Sequence, residues 1–410
     1  MPAIIITAYG TMGDILPYLA LGQALTARGH KIYMSIPKHL HSKCLEENLI
    51  PIQIGHKEVN AEKVNKSALL WDNWSTNVDE LEVRKKLPGS HTWFNTQKSV
   101  NNLLNTCSGA TLIICNPQQE IVAAVIAEKL SIPLVRAIVT PALLYQPNNW
   151  WKVSQWSIKK NIYHDNYHKL RETQGLTGQD PWRKYWGFDR LIFPASPYLF
   201  PSPPYCLPSN QTGFWFYNSS QLNKWRPDDK LRKFMTTDER PLVVSFSSQP
   251  IRDRENFIIT HVRAAMKIGR RILIQEGWSN FNSSHLPDNI DKDSVMFTGF
   301  IPQDWLFSQA SAVITHGGVG TITRALRNGC TMLLEPHTYE QCFNAHRTLS
   351  WGVGAAMYPN KLTAEGIANV LEKKVLSDGY KKQAIKIKTQ LHSEAGVEKA
   401  SDLIEAWLPS

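Results

Sequence analysis

No Cys-x-x-Cys pair, no apolar run long enough to span a bilayer, no block of like charge and no internal period occurs in this 410-residue chain. Each absence removes a class of function. The six cysteines (Cys44, Cys107, Cys115, Cys206, Cys330 and Cys342) are scattered without metal-ligand spacing, which predicts reduced thiols and no bound metal. Without a bilayer-length run, no membrane-spanning helix is expected. Met1 leads directly into Ala3-Ile4-Ile5-Ile6-Thr7, with neither a basic stretch nor a cleavage site. The expectation is therefore a cytoplasmic protein, with peripheral contact at the inner membrane face left open. Net charge is +10, divided as +6 up to residue 220 and +4 beyond it. So even a spread argues against a nucleic-acid partner and is compatible with anionic substrates or an anionic membrane face.

What is present is the composition of a folded α/β chain: 42% hydrophobic, 20% charged and 10% aromatic residues. Its length predicts two to three domains at about 150 residues each. An apolar run at Ile4–Ala8, helical spacing over Ile15–Arg28 and a second run at Lys31–Ile36 read as a βαβ unit. The alternation continues through Thr111–Cys115, Ile121–Leu130 and Leu134–Ile138, then gives way to a Trp- and Pro-rich stretch over residues 145–220. It resumes with strand-like runs at Leu242–Phe246, Arg271–Gln275, Ser294–Phe297, Ala312–Thr315 and Thr331–Leu334. A polar break over Asn218–Arg240 marks the linker. Two Rossmann-like domains facing across a ligand cleft are expected.

Three segments carry chemistry. Gly10-Thr11-Met12-Gly13-Asp14 follows the first strand, where Asp14 suits either the cap of the first helix or a carboxylate that accepts a proton from a substrate hydroxyl. The spacing is GxxG, and the second strand ends Ser35-Ile36-Pro37 without an acidic residue, which excludes the nicotinamide-dinucleotide fingerprint. Thr315-His316-Gly317-Gly318-Val319-Gly320-Thr321 runs from a strand into a helix expected to open at Thr321 and end near Asn328-Gly329. Free backbone N–H groups and the positive helix end make this an anion site, to which His316 and Thr321 add donors. The structural alternative is a tight turn beside a satisfied core histidine. Glu340 and Gln341, in Pro336-His337-Thr338-Tyr339-Glu340-Gln341, suit polyol recognition or capping of the helix that begins there.

In this order, the three segments resemble those of the GT-B nucleotide-sugar glycosyltransferases of the UDP-glycosyltransferase superfamily. In pattern the chain is most similar to the bacterial rhamnosyltransferases, the sterol glucosyltransferases and the glycopeptide-antibiotic enzymes. Leu70-Trp71-Asp72 and Thr140-Pro141 are similar to the rhamnosyltransferase branch. The likeness covers nearly the whole chain but is poor over residues 145–220. It implies an N-terminal acceptor domain over residues 1–220, a nucleotide-sugar domain over 221–390 and a last helix over 391–410 that packs back on the first domain.

The resemblance also implies roles. Asp14 becomes the general base; His316 and Thr321, with the backbone of Gly318 and Gly320 and with Ser248, hold the diphosphate. Phe300 stacks on the nucleobase, Ile301 meets its edge, and Gln303 belongs to the same donor-binding segment, while Glu340 and Gln341 hold sugar hydroxyls. Trp71, Pro141 and Trp150 are acceptor-site candidates, since nine of the fourteen Trp fall in the first half. The implied reaction is inverting and metal-independent, with no cofactor: a hexose moves from a UDP- or dTDP-sugar to a hydroxyl of a hydrophobic or aromatic acceptor such as a lipid, sterol, polyketide or phenol. A nucleotide-sugar epimerase or hydrolase, for which His337 and His346 are at hand, and a non-catalytic helper are the alternatives. Two departures stand out. Ser247 occupies a position where the family commonly has Gly, and Arg324 replaces the ribose-binding Glu of the plant enzymes, where it could offer charge to the nucleotide. Donor, acceptor and oligomeric state stay open.

Overall fold

The computed structural model describes residues 2–55, 96–145, 162–178, 190–203, 206–219, 224–237, 239–287 and 289–409. Trp71 and Trp150 lie outside them. The chain divides into two units, the first built from the described residues up to 219 together with those from Glu394 onward, the second from Lys224–Ser393.

In the first unit the order is β1 (Ala3–Thr7), α1 (Met12–Ala27), β2 (Lys31–Ile36), α2 (His41–Glu46), β3 (Ile50–Gln53), α3 (Thr96–Thr106), β4 (Ala110–Cys115), α4 (Glu120–Leu130), β5 (Leu134–Ala137), α5 (Ile162–Thr173) and β6 (Leu191–Ile192). The strands form one parallel sheet in the order β3-β2-β1-β4-β5-β6. β1 is buried on both faces: Ile4 and Ile6 enter one hydrophobic cluster and Ile5 the other, as the two-residue period of a strand requires. Trp215 is a core residue here, edge-on to Tyr18 at 6.0 Å, with its indole N–H donating to Thr212 Oγ1 at 3.0 Å.

The second unit runs α6 (Asp229–Thr236), β7 (Leu242–Val244), α7 (Arg254–Lys267), β8 (Ile272–Gln275), β9 (Val295–Thr298), α8 (Gln303–Gln309), β10 (Ala312–Thr315), α9 (Val319–Arg327), β11 (Met332–Leu334), α10 (Tyr339–Ser350), β12 (Gly354–Ala356), α11 (Ala364–Val370) and α12 (Asp378–His392). Its sheet is also parallel, in the order β12-β11-β10-β7-β8-β9. α13 (Gly396–Ala406) belongs to the first unit, where Arg28 beyond the end of α1 pairs with Asp402 at 2.6 Å and Glu405 at 2.7 Å.

Both sheets reverse direction at one place, between β1 and β4 in the first and between β7 and β10 in the second. At such a switch point the loops leaving the two strands splay apart and open a crevice at their carboxyl ends. Of the three segments the sequence marks for chemistry, two follow the switch-point strands β1 and β10 and the third follows β11, while Ser248, which the resemblance adds, follows β7. Among the described residues no helix is long and apolar enough to cross a membrane, and all six cysteines are free thiols.

Candidate active site

In the first unit the site begins with a glycine. Gly10 has φ +137°, and a Cβ there would sit 2.4 Å from Asp14 Oδ2, so only glycine lets the carboxylate fold back over the loop. The Thr11 backbone N–H donates to Asp14 Oδ2 at 2.7 Å, and its hydroxyl donates to the same oxygen at 2.9 Å. Thr11 is thus the N-cap of α1, and Asp14 is the third helical residue that reaches back to it. The expectation that Asp14 might itself be the cap is corrected by one turn: it serves the cap from inside the helix. Only one of its oxygens is used. Oδ1 has no hydrogen-bond partner among the described residues. Burial pushes the Asp14 carboxyl above its ordinary range, and the Thr11 hydrogen bonds pull in the opposite direction. The loop is fastened from β4: Asn116 Nδ2 donates to the Tyr9 carbonyl at 2.8 Å, and the Tyr9 N–H donates to Asn116 Oδ1 at 3.4 Å. Pro141 is buried and starts a single helical turn after β5.

In the second unit β10 delivers His316. Its ring lies against Gly318, where a Cβ would be 2.5 Å from Nε2, and beside Phe246 with ring centroids 5.9 Å apart. His316 is only 6% exposed, and burial, with His337 nearby, pushes its pKa down to about 3. At neutral pH the imidazole is uncharged, so it offers one N–H and no positive charge. Gly317 turns at φ +92°, and its carbonyl accepts from Asn344 Nδ2 at 3.0 Å. α9 starts at Val319 with Gly318 as N-cap and no side chain capping it, two residues before the expected opening at Thr321. The N–H groups of Val319 and Gly320 therefore lie in the first turn, beyond reach of any helix carbonyl. Thr321, in the same turn, is buried.

The loop after β7 supplies Ser248, partly exposed. Ser247 before it has φ +47°, a left-handed backbone. This is the physical reason a glycine suits the position, and Ser adopts it at a cost of about 1 kcal/mol. The turn is packed against Gly277, whose absent Cβ would meet the Ser247 carbonyl at 2.8 Å, and the Trp278 N–H donates to that carbonyl at 2.8 Å. Phe300, between β9 and α8, is 70% exposed, while Ile301 is buried and Gln303 opens α8. An aromatic side chain left so open suits a flat ligand laid upon it.

Two expectations change. Arg324 is half-buried on α9 and ion-paired with Asp304, whose other oxygen accepts from Asn328 Nδ2 at 2.9 Å. Its charge is committed to fastening α8 to α9 and is not free for a nucleotide. Gln341 is not a hydroxyl acceptor: its Oε1 accepts from the backbone N–H groups of His337 at 2.7 Å and Thr338 at 3.1 Å, which fills both lone pairs. Glu340 beside it, in the first turn of α10, is half-buried. His337 packs edge-on to Phe246 at 6.1 Å, whereas His346 is exposed further along α10.

Sequence patterns gave no hint of a buried pair under the same loop. His261 Nε2 on α7 meets Glu335 Oε1 at 2.7 Å with both side chains wholly buried, and His261 Nδ1 donates to the Phe257 carbonyl at 2.7 Å. A lone His on a helix and a lone Glu after a strand look unrelated until the fold brings them together.

Comparison with known proteins agrees with this anatomy. Residues 4–144 match the Glycosyltransferase family 28 N-terminal domain, and residues 263–405 match the Erythromycin biosynthesis protein CIII-like C-terminal domain. A sterol 3-beta-glucosyltransferase of Debaryomyces hansenii is 27% identical over 96% of this chain, which spans 26% of that protein's length. The O-mycaminosyltylonolide 6-deoxyallosyltransferase of Streptomyces fradiae is 22% identical, with 98% of this chain and 97% of that one covered. Among solved structures, the glycosyltransferase of kitacinnamycin superposes with a TM-score of 0.71 at 16% identity over the whole of both chains. The glycosyltransferase VinC in complex with dTDP superposes with a TM-score of 0.66 at 17% identity, over 98% of each chain. One family model covers the first sheet as far as β5, the other covers the second from β8 onward, and the paired doubly wound sheets are those of the solved neighbours. Together these matches support a GT-B protein of the UDP-glycosyltransferase superfamily.

Proposed function

We propose that this protein is an inverting, metal-independent glycosyltransferase that moves a hexose from a UDP- or dTDP-sugar to a hydroxyl of a hydrophobic acceptor. The observation that carries the reading is the uncapped N-terminus of α9 beside a neutral, buried His316. Two backbone N–H groups and one imidazole N–H border that helix end, and the reading adds the hydroxyls of Thr321 and Ser248 to them as donors to a diphosphate. The VinC structure contains dTDP, which favours the same class of ligand here.

Asp14 Oδ1 takes the proton of the acceptor hydroxyl. The hydroxyl oxygen bonds to the anomeric carbon as the bond from that carbon to the diphosphate oxygen breaks, with the electron pair leaving on the diphosphate. Attack from the face opposite the leaving group inverts the configuration. Negative charge that grows on the diphosphate meets donors already in place, the arrangement that lowers a barrier most. The raised pKa of Asp14 makes it a better proton acceptor than an ordinary carboxylate. Phe300 stacks on the base, Ile301 and Gln303 adjoin its edge, and Glu340 accepts from sugar hydroxyls. A sterol or macrolide acceptor fits the activities for which the relatives are named.

Calorimetry with UDP, dTDP, ADP and NAD tests the donor site, followed by transfer assays with sterol and macrolide aglycones. Binding of UDP or dTDP but not NAD, weakened in His316→Ala, is the expected result. Failure to bind either pyrimidine nucleotide overturns the reading, and consumption of sugar nucleotide without any acceptor moves it to the epimerase or hydrolase alternative.

A further inference from the structure

Gln249 follows the two serines of the β7 loop and is 5% exposed. Its backbone N–H donates to the Phe246 carbonyl at 2.8 Å, its side-chain Nε2 donates to the Pro250 carbonyl at 3.2 Å, and its Oε1 accepts from Gln341 Nε2 at 3.1 Å. The amide orientations are fixed by the network. Two backbone N–H groups face one end of the Gln341 amide, so that end must be oxygen, and the NH₂ end must face an acceptor. Of the two amide hydrogens of Gln341, one is held by Gln249, and the other has no partner among the described residues. Gln341 can thus present a ligand with one N–H and no lone pair.

We infer that Gln249 is a positioning residue for recognition of the donor sugar. By taking one amide hydrogen of Gln341 it sets the direction of the other. It also ties the segment of residues 335–341, which carries Glu340 and Gln341, to the loop that carries Ser248. The inference rests on the donor-site reading above. Gln249 itself touches no reacting atom in this scheme; it acts through Gln341. Without it, a nearly buried N–H would lack an acceptor, and the side chain would turn to find one.

The test uses the full chain with two substitutions. Gln249→Met keeps the volume and removes the acceptor; Gln249→Glu keeps an acceptor oxygen at the same reach. Affinity for the free nucleoside diphosphate is measured by calorimetry, and KM and kcat are measured for the sugar nucleotide. Gln249→Met should bind UDP or dTDP as the wild type does while its KM for the sugar nucleotide rises about tenfold, the weight of one neutral hydrogen bond. Gln249→Glu should return KM to within about threefold of wild type, the remainder reflecting lost donation to the Pro250 carbonyl. Should Gln249→Met not fold, Gln249→Asn, which withdraws the oxygen by one methylene, carries the same expectation. An unchanged KM in the Met or Asn variant, or a Glu variant as impaired as either, overturns the inference. Failure of the donor-site reading is separately visible, because the wild type would then bind neither nucleotide.

Discussion

Gly318→Ala isolates the role of His316 without touching the imidazole. At φ −65° and ψ 138° the backbone of Gly318 is open to any residue, so the substitution carries no conformational strain. Reducing the freedom of the unfolded chain would by itself stabilise the protein by about 0.4–1 kcal/mol. The new Cβ, however, would lie 2.5 Å from His316 Nε2, 3.3 Å from Cε1 and 3.4 Å from Cδ2. Contact distances near 3.5–4.0 Å require the ring to move by about 1 Å, and displacing a buried ring typically costs about 1–3 kcal/mol. Phe246 stands beside the ring and restricts where it can go. The single variant should therefore be slightly to moderately destabilised. In a His316→Ala background the obstacle is gone, and the same substitution should be stabilising. Denaturant unfolding of the four proteins should show a coupling of about 1–3 kcal/mol, equal to the clash.

Nucleotide affinity supplies the second axis of the cycle. A hydrogen bond to a charged phosphate contributes about 1.5–3 kcal/mol, so His316→Ala should weaken UDP or dTDP binding by roughly ten- to a hundredfold. Gly318→Ala should weaken it in the same direction with the imidazole still present. The double variant should bind no worse than His316→Ala alone. Additive stabilities, or a Gly318→Ala protein with wild-type nucleotide affinity, would remove His316 from the diphosphate site.

Asp14→Asn should lower turnover by about 10²–10⁴ with nucleotide affinity nearly intact; unchanged turnover in a transfer assay would exclude Asp14 as the base. Ser247→Gly should raise stability by about 1 kcal/mol by relieving the left-handed backbone, and a lower melting temperature would contradict that account. Breaking the buried pair with His261→Ala should cost about 3–5 kcal/mol in denaturant unfolding, whereas His261→Leu with Glu335→Met should recover most of it. Because His316 titrates near 3 when folded and near 6.5 when unfolded, the unfolded chain binds the extra proton between those values. Stability should consequently fall as pH drops from 6.5 toward 3, by up to about 1.4 kcal/mol per unit, and acid unfolding of His316→Ala should be shallower by that amount.

Much of the architecture was legible because parallel strands buried on both faces read as short apolar runs. β2 and β10 have the expected ends, and most of the others shift by a residue or two where strand gives way to loop. β3, β6 and β12 were not legible. Ile50-Pro51-Ile52-Gln53 contains a proline, Leu191-Ile192 is a two-residue strand, and Gly354-Ala355-Ala356 has no β-branched residue. Each lies at or near a sheet edge, where pairing with a formed neighbour decides and local propensity does not. In the donor segment, glycines beside His316 exposed the loop but not its use of Gln341. A glutamine that caps a helix and one that meets a ligand look identical in sequence; the two backbone N–H groups on Oε1 show the cap and leave only an amide N–H to face a ligand. The Gln249 tie, the His261–Glu335 pair and the Arg324–Asp304 pair all join residues far apart in the chain, for which one sequence carries no signal.

The two units share one topology, so topology alone does not explain why the anion site belongs to the second. Helix capping does. One of the two switch-point strands of each unit, β1 in the first and β10 in the second, runs into a glycine-containing loop and then into a helix whose first N–H groups need acceptors. At α1 the need is partly met from within: Asp14 folds back over Gly10, takes the Thr11 N–H and places a carboxylate at the helix end, where it would repel a phosphate. At α9 the N-cap is Gly318, with no side chain to offer, and the nearest side chain to it among the described residues is an uncharged imidazole. One helix end is closed by an acid that keeps an oxygen for a proton; the other is left open for a ligand that brings its own negative charge. On the proposed reading the diphosphate goes to the open end and the hydroxyl proton to the acid. A few side chains around two glycine turns, one after the first strand of its unit and one after the fourth, set this division of labour on the proposed reading, which is why residue types within the glycine loops say more about function than the fold that carries them.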